Sequence, residues 1–87
     1  MKKLTMFVLA DCPYCRQALV WREELCREDA RLAEVPVEVV DEAVHPGLAD
    51  AYPYYYVPSF FLGQEKLFEG VPTKEAVRAA LEAAMRA

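Results

Sequence analysis

Residues 4–15 read Leu4-Thr5-Met6-Phe7-Val8-Leu9-Ala10-Asp11-Cys12-Pro13-Tyr14-Cys15. From Lys3 to Leu9 the chain is apolar and rich in strand formers, which suits a strand buried in a sheet. Asp11-Cys12-Pro13 then reads as a helix start, because proline at a first helical position has its φ pre-set and no N–H to leave unpaired. From Tyr14 to about Arg31 the pattern is helical. Ala18, Trp21, Leu25 and Leu32 form one stripe, Cys15, Leu19 and Cys26 an adjoining one, and Glu and Arg fill the outside. A strand joined by a helix to a second strand makes a parallel pair with a crossover.

That second strand is Val37 to Val40, opened by Pro36 and ending at Asp41. His45-Pro46-Gly47 is a turn, Pro46 starts a short helix through Leu48 to Tyr52, and Pro53 ends it. Tyr54 to Leu62 is aromatic and β-branched, interrupted by Pro58. Gly63-Gln64 reads as a hairpin turn, Glu65 to Glu69 as the return strand, and Gly70 as its break. Thr73 is the expected N-cap of a last helix, its hydroxyl accepting from an N–H of the first turn. Val77, Leu81, Ala84 and Met85 give that helix one apolar face. The predicted order is βαβαββα, an α/β chain whose last helix covers a sheet face together with the first helix or opposite it.

The 87 residues make one domain, 1–87, near the small end of what folds alone. Hydrophobic residues are 55% of the chain, enough for a core without metals or a disulfide framework, and 28% are charged, which excludes a disordered reading. The net charge of −4, with no basic run, argues against nucleic acid and against a membrane surface. Met1-Lys2-Lys3 followed by Leu4 to Ala10 mimics a signal peptide. The apolar stretch is short and stops at Asp11, so it reads as the first strand. No run approaches the ~18 apolar residues of a membrane span, and a cytoplasmic location is expected.

Cys12-Pro13-Tyr14-Cys15 carries the chemistry. Disulfide exchange needs a thiolate as attacker, and a helix N-terminus supplies partial positive charge and free N–H groups. It also needs a second thiol to resolve the mixed disulfide, and a cysteine one helical turn later lies close to the first. Cys12, at the helix entrance, is the expected nucleophile; Cys15 is expected deeper. The same spacing is half of a zinc site, but a zinc site needs a second pair. Only Cys26 and His45 remain, and Cys26 lies ~16 Å farther along the same helix.

The tetrad, the strand before it and Val57-Pro58 after it resemble dithiol glutaredoxins of the thioredoxin superfamily, over nearly the whole chain. The resemblance implies a thioredoxin-like fold, a four-stranded mixed sheet flanked by three helices. It implies a cis peptide bond before Pro58, facing the cysteines. Val57 would offer main-chain N–H and C=O to a substrate held like a strand, and Pro13, Tyr14, Tyr56, Gly70 and Thr73 would complete the binding surface. The activity implied is thiol–disulfide oxidoreduction on protein disulfides or glutathione mixed disulfides. The chain would act as a monomer without a required cofactor, with glutathione as possible cosubstrate or a flavoprotein reductase as donor. Where those proteins usually carry Lys or Arg before the first cysteine, this chain has Val8-Leu9-Ala10-Asp11. Where they tend to have Thr before Val-Pro it has Tyr56, and at the last helix it has Gly70-Val71-Pro72-Thr73-Lys74.

Two other functions fit the same residues: a metal or iron–sulfur carrier using Cys12, and a redox-inactive peptide-binding module using the Val57-Pro58 groove. Cys26 reads as a small core hydrophobe or as a redox switch. Trp21 reads as a packing residue, and His45 as a surface residue in a turn. Tyr52-Pro53-Tyr54-Tyr55-Tyr56 is either an aromatic wall beside the cysteines or strand formers alternating between core and surface.

Overall fold

A computed structural model describes Met1–Ala87. Four strands make one sheet in the order β2-β1-β3-β4. β1 (Leu4–Val8) runs parallel to β2 (Val37–Asp41), with Leu4 opposite Val37 and Val8 opposite Asp41. β1 pairs antiparallel with β3 (Ser59–Leu62), which pairs antiparallel with β4 (Glu65–Glu69). β1 is central and all five of its side chains are buried, so it reads as an apolar run rather than an alternation. The edge strands carry charge instead, Glu38 on β2 and Glu65 and Lys66 on β4, which discourages pairing with another chain.

Helices α1 (Pro13–Glu28) and α3 (Lys74–Arg86) pack on each other and share one face of the sheet. The alternative of helices on opposite faces is thereby closed for this pair. Leu4, Met6 and Phe60 meet Ala18, Leu25, Leu32, Val77 and Leu81 in the main core. Full burial of each large side chain contributes about 1.5–3 kcal/mol relative to exposure. The other face carries Phe7, Val40, Phe61 and Ala49 of the short α2 (Pro46–Ala49). Phe7 stacks on Tyr54 (centroids 4.8 Å) and lies 4.7 Å from Tyr52. Neighbouring residues of β1 and β3 thus feed opposite cores, as strand geometry requires.

Five sequence expectations are corrected. α1 stops at Glu28 rather than about Arg31, because the Asp29 carboxylate takes the Arg31 N–H (3.0 Å) and guanidinium (2.9 and 3.1 Å) and turns the chain. Leu32 enters the core from a separate 3₁₀ turn, Leu32–Glu34. α2 ends at Ala49, and Tyr52 goes to the second core. β3 begins at Ser59, not Tyr54: the Tyr55 and Tyr56 N–H groups donate to the Glu69 carboxylate instead of to a strand. Cys26 is half-buried rather than inside, packing against the main core and bordering a surface hollow with Arg22, Glu23, Arg27 and Ala33. Trp21 is half-buried on the same core, and His45 is exposed.

Candidate active site

β1 ends and the chain turns at once into α1. The Cys12 N–H donates to the Leu9 carbonyl (3.2 Å), Cys12 itself is extended (φ −93°, ψ 111°), and Pro13 opens the helix. Cys12 is the N-cap. Its Sγ accepts the Cys15 N–H at 3.2 Å, so a sulfur stands where a Ser or Asp oxygen usually caps a helix. That puts the sulfur at the positive end of a 16-residue helix, where negative charge is favoured. In the thiol form it donates back, weakly, to the Val57 carbonyl at 3.9 Å.

The two cysteines differ sharply in surroundings. Cys12 is partly exposed, whereas Cys15 is 1% exposed. Burial pushes the Cys15 thiol up to about 12, helped by its hydrogen bond with Cys12 and by the charges of Cys12 and Glu42, while a backbone group of Leu9 pulls the other way. All three cysteines are free thiols, and no group of three or more His, Cys, Asp or Glu side chains is arranged to hold a metal ion. No helix is long and apolar enough to cross a membrane.

Opposite Cys12 stands the Tyr56–Pro58 segment. The Val57–Pro58 bond is cis, and Pro58 is buried. The Tyr56 carbonyl accepts the Ser59 hydroxyl, while the Val57 N–H donates to no group of the chain. The Gly70 N–H donates to the Pro58 carbonyl at 3.1 Å and ties the end of β4 alongside. Tyr14, Tyr56, Val57, Gly70 and Val71 together line a groove of about 320 Å³. Tyr14, Tyr56 and Val71 each leave more than half of their surface exposed there. The groove has no Lys or Arg in its wall. Lys66 pairs with Glu69 (2.7 Å) and Lys74 with Glu28 (2.8 Å).

Of the residues singled out in the sequence, Tyr14, Tyr56, Val57 and Gly70 share this groove, with the Cys12 thiol donating to the Val57 carbonyl and Pro58 buried next in the chain. Pro13 is exposed at the first helical position. Thr73 lies outside the groove wall and caps α3, its Oγ1 accepting the Ala76 N–H at 3.0 Å. The tyrosine run divides: Tyr52 and Tyr54 pack in the second core, Tyr55 and Tyr56 face outward.

Glu42, Tyr54, Ser59 and Glu69 escape a reading of the sequence. Glu42 accepts the Tyr54 hydroxyl (3.0 Å), and the Tyr54 phenol is held protonated by burial first and by that carboxylate second. A signal for Glu42 existed. It follows the carboxyl end of β2 as Cys12 follows that of the parallel β1, and sites in such sheets gather beyond the carboxyl ends of strands.

No family model matches this sequence, and no curated protein does either. Solved structures do. A malarial protein superposes with a TM-score of 0.69 at 13% identity, over 94% of both chains. A protein disulfide oxidoreductase from Aeropyrum pernix K1 gives 0.67 at 24% identity, over 94% of this chain and 37% of that one. A mutant thioredoxin from Halobacterium salinarum NRC-1 gives 0.68 at 23% identity, over 95% and 74%. The chain therefore has the thioredoxin-like fold, with a dithiol pair at the start of its first helix.

Proposed function

We propose that this chain is a thiol–disulfide oxidoreductase that reduces protein disulfides through Cys12 and Cys15. The observation that carries the reading is the asymmetry of the pair: a partly exposed sulfur capping a helix N-terminus, one turn from a buried thiol pushed up to about 12. The first is built to attack, and the second to wait.

In the first step the Cys12 thiolate attacks one sulfur of a substrate disulfide. The substrate S–S bond breaks, and the departing sulfur leaves as a thiolate that takes a proton from water. A Cys12–substrate disulfide results. The Val57 N–H and the Val57 carbonyl, the latter no longer engaged by the Cys12 thiol, then offer a donor and an acceptor to an extended peptide. In the second step Cys15 attacks Cys12 Sγ, the Cys12–substrate S–S bond breaks, and the proton that Cys15 gives up ends, through water, on the departing substrate sulfur. The substrate leaves as a dithiol, and Cys12–Cys15 is the new disulfide. Two electrons pass from protein to substrate, and an external thiol or flavoprotein reductase returns them. No bound cofactor takes part.

A groove without a cation in its wall favours a peptide disulfide over a glutathione mixed disulfide, whose carboxylates would find no partner there. The test is disulfide reduction under two regenerating systems in parallel, glutathione with its reductase and thioredoxin reductase, with Cys12→Ser as control. Turnover that Cys12→Ser abolishes supports the reading, and the active system names the donor class. Stoichiometric inertness of the reduced wild type toward every disulfide tried would overturn it.

A further inference from the structure

Glu69 ends β4 beside the groove, and its carboxylate serves three donors. Oε2 accepts the N–H groups of Tyr55 and of Tyr56, the latter at 2.8 Å, while Oε1 accepts Lys66 Nζ at 2.7 Å. The side chain is only 17% exposed. Lys66 first, then the two amides, hold its carboxyl down to about 2. Such an arrangement is unusual for a surface strand end, because Tyr55 and Tyr56 belong to no strand and their amides have no ladder partner.

The clamped segment is the one that faces Cys12. Tyr56 is gripped twice, by Glu69 at its N–H and by the buried Ser59 hydroxyl at its carbonyl. The next residue, Val57, points its carbonyl at Cys12 Sγ and keeps its N–H free. Tyr54 and Val57 on either side pack against the second core, but between them Tyr55 is 91% exposed and Tyr56 70%, so that pair is held chiefly by these bonds. A segment fixed before the partner arrives loses less conformational freedom on binding, and the benefit falls on affinity rather than on bond chemistry.

We propose that Glu69 is a positioning residue for peptide substrates: by holding Tyr55 and Tyr56 it presents Val57 to an incoming chain, without touching the reacting sulfurs. The proposal rests on the disulfide-exchange reading. It separates two kinds of substrate. A disulfide within a peptide needs the Val57 groups; a small uncharged disulfide has no backbone to pair with them.

The test compares wild type with Glu69→Ala and Glu69→Gln in the full chain. Substrates are a disulfide-bridged peptide and bis(2-hydroxyethyl) disulfide, and amide hydrogen exchange at Tyr55 and Tyr56 is followed in the same proteins. The expected result for Glu69→Ala is a KM for the peptide raised about tenfold with kcat within about twofold, an unchanged rate on the small disulfide, and faster exchange at both amides. Glu69→Gln, which keeps the shape and an acceptor but not the charge, should fall between. Equal losses on both substrates, an unchanged peptide KM, or amides that stay protected would overturn the clamp. A wild type inert to both disulfides would instead sink the exchange reading beneath it; variants indistinguishable from an active wild type would sink the clamp alone.

Discussion

Alkylation of the reduced chain at pH 7 will leave Cys15 almost untouched during the time in which Cys12 reacts. The size of the effect follows from the environment of the thiol. Pushed up to about 12, Cys15 is thiolate in about one molecule in 10⁵ at pH 7, against about one in thirty for a free cysteine near 8.5. That is a deficit of about 3,000-fold. A more basic thiolate attacks faster, and a Brønsted slope of about 0.45 over the gap of about 3.5 units returns about 40-fold. Cys15 should therefore label about 80-fold more slowly than an unfolded thiol before its 1% exposure is counted, and more slowly still after. The assay is timed labelling with iodoacetamide, acid quench, proteolysis and mass spectrometry of each cysteine peptide. The same chain in denaturant supplies the free-thiol rate, and half-buried Cys26 an internal reference. Initial rates are required, since modification of Cys12 removes its hydrogen bond to Cys15. Labelling of Cys15 within tenfold of the denatured rate, or ahead of Cys12, would refute the reasoning.

Phe61→Ala should cost about 3–5 kcal/mol in urea unfolding, because the ring is fully buried against Phe7 (5.8 Å) and Tyr52 (5.0 Å); a loss below ~1 kcal/mol would show that the second core collapses around the gap. Thr73→Ala should cost about 1 kcal/mol by the same measurement, since it frees the Ala76 N–H at the start of α3. Alkaline pH should destabilise the fold. Cys15 and Tyr54 are both raised in the folded state, so their protonated forms are favoured there. That stability is complete below the unfolded thiol value of about 8.5 and is lost as pH rises toward 12. A urea midpoint that rises between pH 9 and 11 would contradict the sign.

Most of the fold is legible because local signals agree with long-range packing. The apolar run of β1, proline at the start of α1, Gly63-Gln64 in the hairpin and Thr73 at the cap of α3 each do locally what the sheet and helices require. Two misreadings fall where a side chain replaces a backbone partner. Asp29 ends α1 three residues early by bonding Arg31, and Glu69 takes the amides that would have made Tyr55 and Tyr56 part of β3. Periodicity carries no trace of a carboxylate that reaches 13 or 14 residues across the chain. At the site, Cys12 and Cys15 are readable because spacing and helix start impose their relation, and Tyr14, Val57 and Gly70 follow from resemblance. Glu42 is marked by its place just past β2, but its meeting with Tyr54 is not readable, since that depends on how far the chain turns there. The pairing of α1 with α3 on one face likewise needs the strand order β2-β1-β3-β4, which no local pattern states.

The most direct test of dithiol chemistry is mass spectrometry of the fully reduced chain after one equivalent of a peptide disulfide, quenched with acid. The account predicts that the protein loses two hydrogens, that peptide mapping finds Cys12 joined to Cys15 with Cys26 still free, and that Cys12→Ser shows no change. A wild type that keeps all three thiols, or a substrate trapped on Cys26 instead, would contradict it.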